Sequence, residues 1–336
     1  MIFLSIPKAF VPSKAAATIY RYEKFLHFLL LYAILLQIKQ GGLFMKRKWG
    51  DRKDGTRIRN LDSMHYIMPL MYPNRCDNEA FMHIRIDLTE AEKYLDAKNK
   101  DNPEYKYNLF QLVVTAVLKT ITLRPMMNRF IANNTIYQRN EITAAFTVKK
   151  IFSDHGGEAL ARIYAKPDDT LDTIHDEIFR QVSFCRSDKK DASTASMDII
   201  QKIPGKHLIG AIARFLDRHG WMPASVIATD PYYCSAVLTN LGSLKIDAGY
   251  HHMTNWGTNS LFCAIGLIKN RPFYDDAGNV EMRPSVDLGL TIDERIADGY
   301  YYAKTIGLLK TLLENPQLLE LPLGKEVEYE YGKAKC

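Results

Sequence analysis

An α/β fold, with one mixed sheet covered by helices, is what this 336-residue sequence predicts. Three observations carry the expectation. Segments of two-residue apolar alternation are interleaved with helical apolar stripes in the first half. The second half is rich in strands, which calls for a mixed sheet covered on at least one face. No glycine-rich phosphate loop follows a strand, so a Rossmann or P-loop arrangement fails its own context.

The elements follow in chain order. "AFMHIRIDL" (Ala80 to Leu88) alternates apolar and polar side chains and reads as a half-buried strand. Thr89 then opens "TEAEKYLDAKNK", a helix with an N-cap residue and acids in its first turn. "YNLFQLVVTAVLKTITL" (Tyr107 to Leu123) carries a continuous helical stripe that stops at Arg124-Pro125. "TAAFTVKKIF" and "ALARIYA" flank the turn "SDHGGE" as a hairpin. Asp169 to Arg186 and Lys206 to Gly220 are amphipathic helices. Strands "CSAVLTNLG", "NSLFCAIGLI" and "SVDLGLTID" follow, and a last helix, Asp298 to Asn315, is stopped by Pro316.

Two domains are expected: residues 1–44, a hydrophobic extension, and residues 45–336, with a core over 57–323. In the extension, "FLHFLLLYAILLQI" (Phe25 to Ile38) is shorter than the roughly 20 residues a membrane helix needs and includes His27 and Gln37. Membrane contact through residues 25–38 is therefore not expected, and Met45, followed by a basic polar segment, is a natural first residue. The net charge of +6 is concentrated in Lys46, Arg47, Lys48, Arg52, Lys53, Arg57 and Arg59, read as a solvated basic arm. With no aromatic-interleaved basic stripe elsewhere, nucleic acid is not expected as a partner. The five cysteines form no Cys-x-x-Cys pair, which excludes a disulfide framework and points to a reducing, cytoplasmic setting.

Residues 285–321, "SVDLGLTIDERIADGYYYAKTIGLLKTLLENPQLLEL", carry a family resemblance. The segment resembles the end of the catalytic domain of the 2-oxoacid dehydrogenase acyltransferases, the dihydrolipoamide acyltransferases, whose fold is shared with chloramphenicol acetyltransferase. There a strand runs into Asp-His-Arg-x-x-Asp-Gly and then a helix ending in Leu-Glu-x-Pro. Asp293, Arg295, Asp298 and Gly299 match, as do Leu313, Glu314 and Pro316. "TNLGSLKIDAG" (Thr239 to Gly249) is similar to the family's Ser-Asn-Leu-Gly strand end, and "RPMMNRFI" (Arg124 to Ile131) to its Pro-x-x-Asn turn before a hairpin. The resemblance implies a chloramphenicol acetyltransferase-like two-layer sandwich, a homotrimer with sites between subunits, and coenzyme A or acyl-CoA as the small-molecule thioester substrate.

The departure lies at the base. The family's catalytic histidine falls on Glu294. The resemblance gives Asp298 an architectural role through an ion pair and Thr239 an oxyanion-stabilising hydroxyl, with Asn240, Gly242, Arg295 and Gly299 shaping the turns. Moving a proton from a thiol at ~8.5 to a histidine at ~6.5 costs about 2.7 kcal/mol, whereas moving it to a glutamate at ~4.3 costs about 5.7 kcal/mol. Burial of Glu294 would narrow that gap, and Arg295, if turned toward it, would widen it. The pair His251 and His252, in "YHHMTNWG", is a second source of base, with at most one able to face a site from an extended segment. His65, His83, His155, His175, His207 and His219 are expected to be solvent-facing or structural, and no histidine spacing suggests a metal site.

No lipoyl-type segment with a hairpin-tip lysine precedes the core, so a lipoyl arm is a poorer expected donor than a CoA thioester. Three functions remain open: an acyltransferase with an altered base, a trimer that has lost its chemistry and serves as a binding or structural protein, and a membrane-associated protein resting on residues 25–38.

Overall fold

A computed structural model describes residues 48–149, 158–187 and 206–329. The hydrophobic extension, Met45, Lys46, Arg47 and His155 lie outside the described residues. The chain divides into two units: Met1–Lys46 with Pro223–Ser225, and Arg47–Met222 with Val226–Cys336. The second unit carries both sheets and the candidate site.

Its main sheet has seven strands in the order β2-β10-β8-β7-β5-β6, with β9 paired to the outer part of β10. These are β2 (Glu79–Asp87), β5 (Ile142–Lys149), β6 (Glu158–Ala165), β7 (Ala236–Asn240), β8 (Leu261–Ile265), β9 (Lys269–Tyr274) and β10 (Val280–Asp293). The pairs β5–β7 and β7–β8 are parallel; the others are antiparallel. The expected mixed sheet is therefore present. β10 runs for 14 residues, longer than the nine read from the sequence, because its first half pairs with β9.

Helices α1 (Ser63–Met71), α2 (Thr89–Lys98), α3 (109–123), α4 (Leu171–Arg186), α5 (Lys206–Arg218) and α6 (Gly299–Glu314) complete the frame. α3 starts at Asn108, whose side chain and Gln111 form a reciprocal cap, and it ends before Pro125. Its Gln111–Ile121 run is buried throughout, as a helix lying between sheet and outer helices must be. Ile84, Ile86, Leu288, Leu290 and Ile292 from the sheet join Leu112, Val117, Ile121, Leu308 and Leu312 from α3 and α6 in one core. Removing one such leucine costs about 2–5 kcal/mol. Thr89 is the first residue of α2 rather than its cap; the Asp87 carboxylate accepts from its N–H (2.9 Å) and hydroxyl (2.6 Å).

Sequence reading missed a second sheet. β1 (Gly55–Arg57), β4 (Thr135–Arg139) and β3 (Arg129–Ala132) form three antiparallel strands in that order. The Pro-x-x-Asn turn does open the β3–β4 hairpin, as expected. Docking of β1 corrects the solvated basic arm at Arg52, which is buried, and at Lys53 and Arg57, which are half-buried, while Lys48 and Arg59 are exposed as expected. Arg52 is buried, 2.9 Å from Asp54 and 3.6 Å from Asp217, with its guanidinium over the rings of Phe130 and Tyr137. Lys53 donates to the Met222 carbonyl (3.0 Å), and Arg59 pairs with Asp51 (2.9 Å). The carboxylates that neutralise this cluster lie partly over 160 residues away, which a count of local charge cannot see.

Candidate active site

The turn after β10 is held by its neighbours in the motif. Asp293 is buried and accepts from Arg295 through Nε (2.7 Å), Nη2 (2.6 Å) and the backbone N–H (3.2 Å). Arg295 Nη1 donates to the Tyr72 carbonyl (2.7 Å), so this guanidinium faces inward rather than toward Glu294. Arg75 Nε lies 3.8 Å from the same carboxylate; burial pushes the Arg75 guanidinium down from its usual value and Asp293 opposes that. The Tyr302 hydroxyl donates to the Asp293 carbonyl (2.9 Å) and accepts from Ala297 N–H (3.2 Å), tying both ends of the turn to α6. Burial, with the Asp293 charge, keeps that phenol protonated. Asp298 caps α6, accepting from Tyr301 N–H (2.8 Å); within the chain the ion pair is made by Asp293 instead.

Glu294 is the position this frame leaves open. Its N–H donates to the Asn78 carbonyl (2.9 Å), which fixes the backbone, while its side chain is exposed at the lip of a cavity of about 500 Å³. That volume lies in the range of small-ligand sites. Met64 and Met68 of α1, Met82 of β2 and Ile306 of α6 form an apolar wall, with Glu294, Asp298 and Gly299 on the polar side. His65, expected to be solvent-facing or structural, lines this cavity as well. Arg295 also borders a second cavity of about 870 Å³, whose lining includes Arg214, Arg218 and His219.

His65 lies in the first turn of α1. Asp62 caps that helix, accepting from Met64 N–H (3.0 Å) and His65 N–H (3.1 Å) with one oxygen, and meets His65 Nδ1 with the other at 2.6 Å. These contacts hold the Asp62 carboxyl below its ordinary value. The sequence signal was available: an aspartate cap three residues ahead of a histidine in "DSMHYIMPLM".

The other expected site residues stand apart. Thr239 and Asn240 end β7, with Asn240 Oδ1 accepting from Ser243 N–H (3.2 Å). A Cβ on Gly242 would sit 2.5 Å from the Gly266 carbonyl oxygen, so only glycine allows this turn to lie against β8. In register, Thr239 faces Ala264, and Ala264 faces Gly289. Glu294 is five residues beyond Gly289, about 16 Å along the strand. One chain therefore does not bring Thr239 and Glu294 together.

His251 and His252 are exposed; His251 stacks on Phe262 (4.1 Å), and its Nδ1 meets the His252 carbonyl (2.8 Å). Their loop lies across the sheet from the cavity. Tyr250 packs on Phe81, which pairs with Thr291, whereas Met82 pairs with Leu290 on the helix-covered side. Cys234 is fully buried with its thiol pushed up to about 11, a structural rather than reactive cysteine. His175 stacks on Tyr107 (3.9 Å) and reaches the Tyr105 carbonyl (2.9 Å), and His83 sits 3.5 Å from Asp287. His219 Nδ1 meets the Phe215 carbonyl at 2.7 Å. Among the described residues no group of three or more histidines, cysteines or carboxylates is placed to hold a metal, and no helix is long and apolar enough to cross a membrane.

Residues 234–321 match the family model described as 2-oxoacid dehydrogenases acyltransferase (catalytic domain), a span that contains both strand-end turns. Among solved structures, the chain is similar to a probable dihydrolipoamide acetyltransferase from Listeria monocytogenes 4b F2365 at 16% identity. That likeness covers 78% of this chain and 95% of that one, with a TM-score of 0.51. The cubic core of a pyruvate dehydrogenase multienzyme complex matches with 15% identity, 79% and 95% coverage and a TM-score of 0.53. The Azotobacter vinelandii dihydrolipoamide acetyltransferase (E2p) matches with 16% identity, the same coverages and a TM-score of 0.53. No curated protein sequence matches the chain. At these identities the structural likeness speaks to the fold, and the resemblance seen in the sequence holds.

Proposed function

We propose that this chain, with the fold and C-terminal signature of the 2-oxoacid dehydrogenase acyltransferase catalytic domains, transfers an acyl group between a CoA thioester and an acceptor. The observation that carries this reading is the cavity of about 500 Å³ at the Glu294–Gly299 turn, where the family places its chemistry. Its methionine and isoleucine wall suits an apolar thioester arm, and the second cavity beyond Arg295, with Arg214 and Arg218 in its lining, suits phosphates. In the reaction a thiol or other nucleophile loses its proton, attacks the thioester carbonyl, and the resulting oxyanion needs a donor. Thr239 is the hydroxyl for that role. One chain separates it from Glu294, so Thr239 of one subunit serves the Glu294 cavity of the next, in a homotrimer of the kind the resemblance implies.

A second reading, a trimer without chemistry that binds a partner or builds a structure, draws on Glu294 itself. An exposed carboxylate stands where the resemblance puts the family's imidazole, and carboxylates as a class are weaker bases toward a thiol than imidazoles. Calorimetric titration of the protein with acetyl-CoA and CoA separates the two. Saturable binding at about one ligand per chain is expected; no binding up to millimolar ligand gives the non-catalytic reading the lead.

A further inference from the structure

We propose that His65, oriented by Asp62, is the general base of the Glu294 cavity, a role that rests on the acyl-transfer reading above. The cavity places an imidazole in the same lining as the turn where the resemblance puts the family's histidine on Glu294. His65 enters from α1 while Glu294, Asp298 and Gly299 enter from the β10–α6 turn, and all four line the same space. The other titratable groups of the lining are engaged or of the wrong kind: Arg295 is locked onto Asp293, Asp298 caps α6, and Tyr302 bridges the turn and keeps its proton.

The Asp62 contact decides the tautomer. An ionised carboxylate can only accept, so His65 Nδ1 donates across the 2.6 Å gap and Nε2 carries the lone pair. This is the division of labour of a histidine–carboxylate couple: one nitrogen is oriented, the other is basic. Asp62 is itself held by two backbone N–H groups of α1, so the couple is braced at the helix start rather than on a loose side chain. The steps balance within the site. The S–H bond of a thiol acceptor breaks as its proton moves to Nε2, and the thiolate pair attacks the thioester carbonyl. The carbon–sulfur bond to CoA then breaks, and the departing thiolate takes the proton back from the imidazolium. Glu294 need not accept a proton in this scheme.

The test follows acetyl transfer from acetyl-CoA to dihydrolipoamide, a probe thiol, with calorimetric acetyl-CoA binding measured alongside. His65→Gln is expected to lower kcat by about 10²–10⁴, the usual contribution of a general base, with acetyl-CoA binding retained. Free imidazole should restore part of the rate to His65→Ala, which a structural role would not allow. Asp62→Asn keeps an N-cap of equal quality, so α1 stays capped, yet it removes the tautomer control; kcat should fall at unchanged KM. Turnover that survives His65→Gln, or that is lost instead in Glu294→Gln, overturns the proposal while leaving the acyltransferase reading intact. Loss of acetyl-CoA binding in both His65 variants, without imidazole rescue, overturns it as well. A wild-type protein that binds acetyl-CoA and transfers nothing to dihydrolipoamide or other thiols overturns the assignment for a thiol acceptor; one that also transfers nothing to amines or hydroxyls removes the acyl-transfer reading with it.

Discussion

The two strand ends that carry the family signature are built on different physics. The turn after β7, Thr239 to Gly242, is shaped by backbone proximity: Gly242 lies against the Gly266 carbonyl, and farther along the segment the Gly249 carbonyl lies against Gly289, where a Cβ would be 2.1 Å away. The turn after β10 is shaped by charge, with the buried Asp293–Arg295 fork and the Tyr302 bridge holding it and only Glu294 facing outward from its first residues. One turn needs absent side chains and the other needs specific ones. In the second, the residues that define the motif are those the fold itself uses, and the residue that would define the chemistry is the one the fold does not use. Four matching positions out of five therefore speak for the frame, and the fifth, Glu294, is the one whose side chain the frame does not use.

The sharpest way to break this contrast is to remove the charged fork. Arg295→Ala should destabilise the protein by about 3–5 kcal/mol, because Asp293 is left buried with Arg75 at 3.8 Å as its nearest cation. Urea unfolding reads this directly, and a loss under about 1 kcal/mol would mean the turn does not depend on the pair. At the other turn, Gly242→Ala should cost about 1–3 kcal/mol as the new methyl drives the Gly266 carbonyl away from its place beside β7. Wild-type stability there would show that the close approach is dispensable. The smallest effect is the most telling. Glu294→Gln should leave the unfolding free energy within about 0.5 kcal/mol of wild type, as an exposed position outside the frame does. A large loss would place Glu294 among the structural residues after all.

Much of the fold was legible because it is written locally. Alternation gave β2, the helical stripe and Pro125 gave α3, and the Asp-x-Arg-x-x-Asp-Gly spacing located the turn after β10. What escaped reading was whatever depends on distant partners. β1 is three residues long and acquires meaning only against β4, and Arg52 reads as a solvated charge until Asp217 folds over it. The site was legible by half. Glu294, Asp298 and Gly299 were found through their motif, but His65 sits some 230 positions earlier on a helix whose apolar face is largely exposed. No periodicity marked it for the cavity; only the folded chain brings α1 beside the turn that follows β10. The loop pair His251 and His252, conspicuous as a doublet, lies across the sheet from the cavity in one chain.

The burial of Arg52 has a consequence for dissecting the molecule. The guanidinium and Asp54 belong to a buried polar cluster in which Asp217 accepts from Tyr233 (2.7 Å) and Thr258 donates to Asp54 (3.2 Å), with Arg139 donating to Thr258 (3.0 Å). A fragment cut at Arg57 would strand Asp217 and Arg139 inside the protein without their counter-charges, and it would expose the edge of β4 that β1 covers. A fragment meant to keep this cluster intact therefore has to begin upstream of Arg52, well ahead of the span 234–321 that matches the family model.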